Sequence, residues 1–165
     1  MNRFLVTHNY GMGALYWWIE APSSDAIIQR YAEVEVVDLS GIDPTRFTDI
    51  ASLSIGDPAP PGLAGLEDQR RIQRGKPGYG VLVGRGKVYL RQDYLEERET
   101  YLVEYDENGY RTRQIMQSAD GSLERSGPED WLFNPPEDLW NPDLASCEIP
   151  REEFDSLWAR AHDGN

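Results

Sequence analysis

The sequence predicts an α+β fold, an antiparallel sheet of hairpins and a meander with helices packed on one face. Three observations carry this: an Asn-Gly pair at 108–109 between two extended runs, the period-2 alternation Glu33-Val34-Glu35-Val36, and one helical stripe near the end of the chain. At 165 residues the chain fits a single domain over 1–165.

The elements follow in order. Arg3–His8 reads as a strand, broken by Gly11-Met12-Gly13, and Ala14–Ala21 ("ALYWWIEA") as its hairpin partner, because its aromatics suit a pleated surface. Ser23 or Ser24 caps a short helix with Asp25 in its first turn and Ile27, Ile28 and Tyr31 on one face. Glu33–Val36 then forms a strand with valines inward. A helical turn falls within Thr45–Leu53, a loop follows, and Leu63–Arg74 has helical composition stopped by Gly75 and Pro77. Tyr79–Val83 and Lys87–Arg91 read as extended segments about Gly84-Arg85-Gly86. Tyr101–Asp106 and Tyr110–Gln117 flank the Asn-Gly turn, and Asp120-Gly121 turns the chain into Ser122–Glu124. A proline-rich acidic segment over 127–150 is expected to lie extended on the body. Pro150 opens a last helix with Glu152, Glu153 and Asp155 near its start and Phe154, Leu157, Trp158 and Ala161 on one face.

Composition narrows the function classes. With 39% hydrophobic residues and five tryptophans the chain can build a core, so its charge does not signal disorder. The apolar run Ala14–Ile19 is far short of the roughly 20 residues that span a bilayer, and Phe4-Leu5-Val6 is too short for a signal peptide. The single cysteine, Cys147, allows no internal disulfide and fits a reducing, cytoplasmic location. The net charge of −13 is uneven: residues 1–98 hold 11 basic and 13 acidic side chains, residues 99–165 hold 5 and 16. Such asymmetry acts on partner choice.

Few motifs suggest chemistry. In Gly75–Lys87 ("GKPGYGVLVGRGK") the P-loop fails, since Gly86-Lys87 is followed by Val88 and position 81 is valine. The dinucleotide fingerprint fails too, because three residues separate Gly80 from Gly84 and no helix follows. The cations Arg70, Arg71, Arg74, Lys76, Arg85 and Lys87 form an alternative site for nucleic acid or a phosphate ligand, with Tyr79 and Tyr89 available to stack on bases; the overall negative charge opposes it. A third alternative is an enzyme with its site in the turn beside His8, against the simpler expectation of a strand-end histidine bonded locally. His8, His162 and Cys147 lack metal-ligand spacing, so neither a metal, a cofactor nor a catalytic set is expected.

The acidic, aromatic region is the principal candidate. Carboxylates from Glu129 to Asp143 interleave with Trp131, Phe133, Leu139 and Trp140, a pattern that suits capture of a basic protein through Glu129, Asp130, Trp131, Glu137, Asp138 and Trp140: aromatic anchors give affinity, like charges around them speed association.

The hairpin "YLVEYDENGYRTRQIMQSADGS", the proline–acid stretch and the ending "EIPREEFDSLWARA" also support a likeness. On these features the segment from about Tyr101 to Ala161 resembles a family of small uncharacterised bacterial domains that look like candidate immunity proteins, which neutralise toxins. The resemblance implies a protein-binding function and assigns no individual residue.

Overall fold

The computed structural model describes Met1–Gly164 and divides into two compact units, Met1–Lys76 and Pro77–Asn165. Both units are mixed α and β, with sheets that are mostly antiparallel.

In the first unit β1 (Asn2–Asn9) and β2 (Ala14–Ala21) form the expected hairpin, and β3 (Glu35–Val36) and β4 (Ser52–Ser54) flank it in the order β3-β1-β2-β4. Helix α1 (Ser24–Arg30) is capped by Ser23, whose hydroxyl accepts from the Ala26 N–H at 3.2 Å. Helix α2 (Ala64–Gln73) follows the proline loop. Alternation along the strands divides the unit. Val6, Trp17 and Ile19 pack with Ile27, Tyr31 and Leu66 from the helices. Leu5 and Trp18, on the opposite face, are buried too, with the Trp18 indole N–H donating to the Phe47 carbonyl at 2.9 Å.

Two expectations are corrected here. The strand begins only at Glu35, because Glu33 turns the chain with a φ of 52°, although Val34 is buried as expected. The turn expected within Thr45–Leu53 is a single 3-10 turn at Pro44–Phe47, and Leu53 belongs instead to β4, which runs parallel to β2.

The second unit holds a sheet in the order β5-β6-β7-β8-β9, built from β5 (Val88–Tyr94), β6 (Glu99–Tyr105), β7 (Arg111–Gln117), β8 (Leu123–Ser126) and β9 (His162–Asp163). The first four strands are the expected meander. The Asp106 carboxylate accepts from the N–H groups of Asn108 and Tyr110 at 2.9 and 3.0 Å and tightens the Asn-Gly turn. Helix α3 (Arg151–Arg160) lies on one face, where Phe154 is fully buried among Tyr89, Leu102 and Ile115. The other face is covered by Leu82, Leu139 and Leu144, which pack on Leu90, Val103 and Tyr105.

The strand expected at Tyr79–Val83 is absent. Gly78, Gly80, Gly84 and Gly86 all take positive φ, between 70° and 86°, and each one turns the backbone before a ladder can form. Val81 and Val83 close i→i+3 turns onto Gly78 and Gly80, and Leu82 drops into the core. The stretch from Gly75 to Lys87 is therefore neither a phosphate cradle nor a hairpin. It is a chain of tight turns that seals one face of the sheet.

Candidate functional site

The cations of 70–87 are dispersed and engaged. Arg70 is fully buried: it donates to the Ile28 and Tyr31 carbonyls at 3.0 and 3.2 Å and to Gln73 at 2.8 Å, closing the open C-terminal end of α1. It cannot reach a phosphate. Arg71 pairs with Asp68 at 2.8 Å, and Arg74 donates to the Gln29 carbonyl. Lys76 is exposed at the end of the first unit. Arg85 pairs with Glu148 at 2.6 Å and Lys87 with Glu104 at 3.1 Å, so in the second unit basic and acidic stretches pair internally. Even so, that unit holds 9 basic and 19 acidic residues, a net of −10 against −3 for the first (7 and 10).

His8 is bonded, but not locally: its Nδ1 lies 2.8 Å from the carbonyl oxygen of Glu33, the residue that turns the chain 25 positions further on. No group of three or more His, Cys, Asp or Glu among the described residues is placed to hold a metal ion. Glu104 is a buried carboxyl. Burial raises its pKa, but hydrogen bonds from Arg113, Thr112 and Lys87 outweigh that and hold it at about 2. Arg113 continues to Asp155 on α3 at 2.9 Å and lies over the Phe154 and Trp158 rings. The cluster pins the helix to the sheet, and such a carboxylate exchanges no proton near neutral pH.

The acidic segment is ordered in a way the sequence does not disclose. Glu129 and Asp130 are exposed, and Asp130 accepts from the Gly127 N–H at 2.8 Å. Glu137, half-buried, docks on the hairpin turn through its N–H to the Gly109 carbonyl at 2.8 Å, and its carboxylate stands beside the Tyr105 hydroxyl. Asp138 accepts from the Trp140 N–H at 3.2 Å. The Trp140 ring lies against Tyr79, with centroids 5.3 Å apart, and directly over Gly80. Trp131 donates to the Ser126 hydroxyl at 3.0 Å and receives the Arg111 guanidinium on its face at 4.4 Å. Both tryptophans hold the segment to the body.

The residues left outward are their neighbours. Leu132 is completely exposed and Phe133 is 58% exposed. They sit on a clamped bend. Asn134 exchanges bonds with the Arg111 backbone at 3.0 and 3.3 Å, and the Arg111 side chain donates to Asn134 Oδ1 at 3.1 Å, to the Phe133 carbonyl at 2.8 Å and to Gln114 at 2.9 Å. Two large apolar side chains are thus held in water by a rigid frame. Beside Phe133 a groove of about 610 Å³ opens on the sheet, with Tyr94, Tyr101 and Phe133 and the carboxylates of Glu97, Glu99 and Glu137 among its lining residues. Tyr94, the last residue of β5, is exposed, and the turn that follows it adds the exposed Leu95. Leu132 and Leu95 escape sequence reasoning, because an apolar residue beside buried ones carries no local mark of facing out; Phe133 belongs to the acidic, aromatic stretch, but the sequence does not single it out as the outward ring.

No protein-family model, curated protein or solved structure matches the chain.

Proposed function

We propose that this chain is a binding protein that captures a basic protein partner through its second unit. The observation that carries this is the clamped bend bearing Leu132 and Phe133. Exposed apolar anchors on a rigid frame lose little entropy on docking, which is the arrangement expected of a binding hot spot. The net charge of −10 on the unit as a whole favours a basic partner and speeds its approach. Glu129, Asp130 and the groove carboxylate Glu137 supply the charge, with Asp138 nearby; Trp131 and Trp140 fix the segment that presents the anchors. Neutralisation of a toxin is the most concrete version, in keeping with the resemblance of 101–161 to candidate immunity domains, and a cytoplasmic location goes with it.

The test is affinity capture from the host lysate with the full chain and its L132S/F133S variant, at low and moderate salt, with and without nuclease. The expected result is one basic protein retained by the parent at moderate salt, indifferent to nuclease, and lost by the variant. Equal recovery by both proteins would move the contact elsewhere. Recovery abolished by nuclease would favour nucleic acid and the exposed cations Arg71, Arg74, Lys76, Arg85 and Lys87.

A further inference from the structure

We infer that the groove beside the bend is a subsite for an arginine side chain of the partner; this rests on the protein-capture reading and specifies its chemistry. Four aromatic rings, those of Tyr94, Tyr101, Tyr105 and Phe133, share the lining with polar side chains such as Gln92 and Gln114. Tyr94 and Tyr101 meet edge to face at 84° with centroids 5.3 Å apart, forming a corner, and Phe133 stands with them around the same space. Aromatic faces attract a cation through their quadrupole, most strongly where water is partly excluded.

The charges agree. Glu97 is exposed and Glu99 half-buried, both on the β5–β6 hairpin, and Glu137 lies on the opposite segment. Glu99 accepts the Tyr101 hydroxyl at 2.9 Å, which fixes the ring and the carboxylate together. The one cation in the lining, Arg111, already donates in three directions to neutral acceptors and is stacked on Trp131. Three of its five N–H donors are thus engaged in the frame, and an anion entering the groove would meet three carboxylates against this one cation.

Shape separates arginine from lysine. A flat guanidinium stacks on rings and meets carboxylates through two parallel N–H bonds, and it is weakly hydrated; an ammonium is compact and holds its water. An open groove lined by rings and carboxylates fits the first.

The experiment titrates the ¹⁵N-labelled full chain with N-acetyl-argininamide at low salt, followed by NMR, beside the lysine analogue and the neutral citrulline analogue. The expected result is shifts confined to the groove strands and the 131–137 bend, with the lysine analogue several-fold weaker and the citrulline analogue inert. F133A and E97Q, both at exposed positions and checked for an unchanged amide spectrum away from the groove, should each weaken binding about threefold. Shifts scattered over all acidic surfaces, an equal response to citrulline, or affinities unchanged in both variants would overturn the subsite. Its failure is distinguishable from failure of the capture reading. If the probe does not bind but L132S/F133S still loses a captured basic protein, only the subsite falls; if the probe binds and no protein is captured, only the capture reading falls.

Discussion

Gly109→Ala is the sharpest test of how the acidic segment is docked. Gly109 has a φ of 87°, and a Cβ there would run into the Glu137 carbonyl, with the Glu137 carbonyl carbon and nitrogen each 3.2 Å away. Three effects combine. Alanine in the left-handed region costs roughly 1–2 kcal/mol. The bond from the Glu137 N–H to the Gly109 carbonyl contributes about 1 kcal/mol, which is lost when the segment retreats. The retreat also loosens Leu139 on the sheet. The sum is about 3–4 kcal/mol. Gly121→Ala is the matched control: its φ is 85°, with nothing within 4 Å of the added carbon, so only the backbone cost remains. The assay is urea unfolding of both variants, followed through amide signals of β6 and β7, which belong to the second unit alone. Gly109→Ala should cost about 2 kcal/mol more than Gly121→Ala. A difference below about 0.5 kcal/mol would show that the segment yields freely and that the bend is not rigidly held.

Further outcomes follow from the buried groups. Against the effect of burial, hydrogen bonds hold the Glu104 carboxyl at about 2 in the folded chain, below the 4.5 of a free glutamate, so its contribution is complete above pH 4.5 and is lost as pH falls from there toward 2. The loss is on the order of 3 kcal/mol, and Glu104→Gln should flatten the acid slope of the urea midpoint; parallel slopes for both proteins would refute this assignment. Phe154→Ala should cost about 3–5 kcal/mol by calorimetry, since the ring is fully buried under α3. Arg70→Ala should destabilise the first unit by about 3 kcal/mol, because two carbonyls at the end of α1 lose their donor, while Arg71→Ala, at an exposed pair, leaves the unfolding midpoint unchanged. Asn134→Ala should weaken partner capture with the melting temperature nearly unchanged, because it frees the bend without touching a core residue.

Elements whose signal is local were legible in the chain. Asn108-Gly109 announces its hairpin because the turn closes on a φ of 87° at Gly109, which side chains resist, and the spacing of Phe154, Leu157, Trp158 and Ala161 announces α3. Tyr79–Val83 misleads for a physical reason: Val81-Leu82-Val83 has strand composition, but the glycines on either side bend the backbone, and only Leu82 is needed inside. Arg70 is hidden for another. A buried arginine looks like a surface one until the helix end that it closes is placed beside it. The same holds for the candidate site. The acidic stretch and its tryptophans stand out in composition, but which aromatics face inward depends on Arg111, about twenty residues away in sequence, and on its clamp around Asn134.

The coverage of the second sheet has a consequence for the order in which the chain can fold. The strands β5 to β8 are joined by short turns and can zip in sequence as they emerge during synthesis. What covers them comes later. Leu139 and Leu144 close one face, Phe154 the other, Ile149 donates to the Tyr89 carbonyl along the β5 edge, and His162–Asp163 pair beside β8. The residues that close both faces and both margins of the meander thus lie within the 37 positions between Ser126 and Asp163, so a chain in which only β5 to β8 had paired would leave much of the sheet open. Open sheet faces and edges of that kind recruit chaperones or pair with further copies, which places the cost of an incomplete C-terminal segment on solubility.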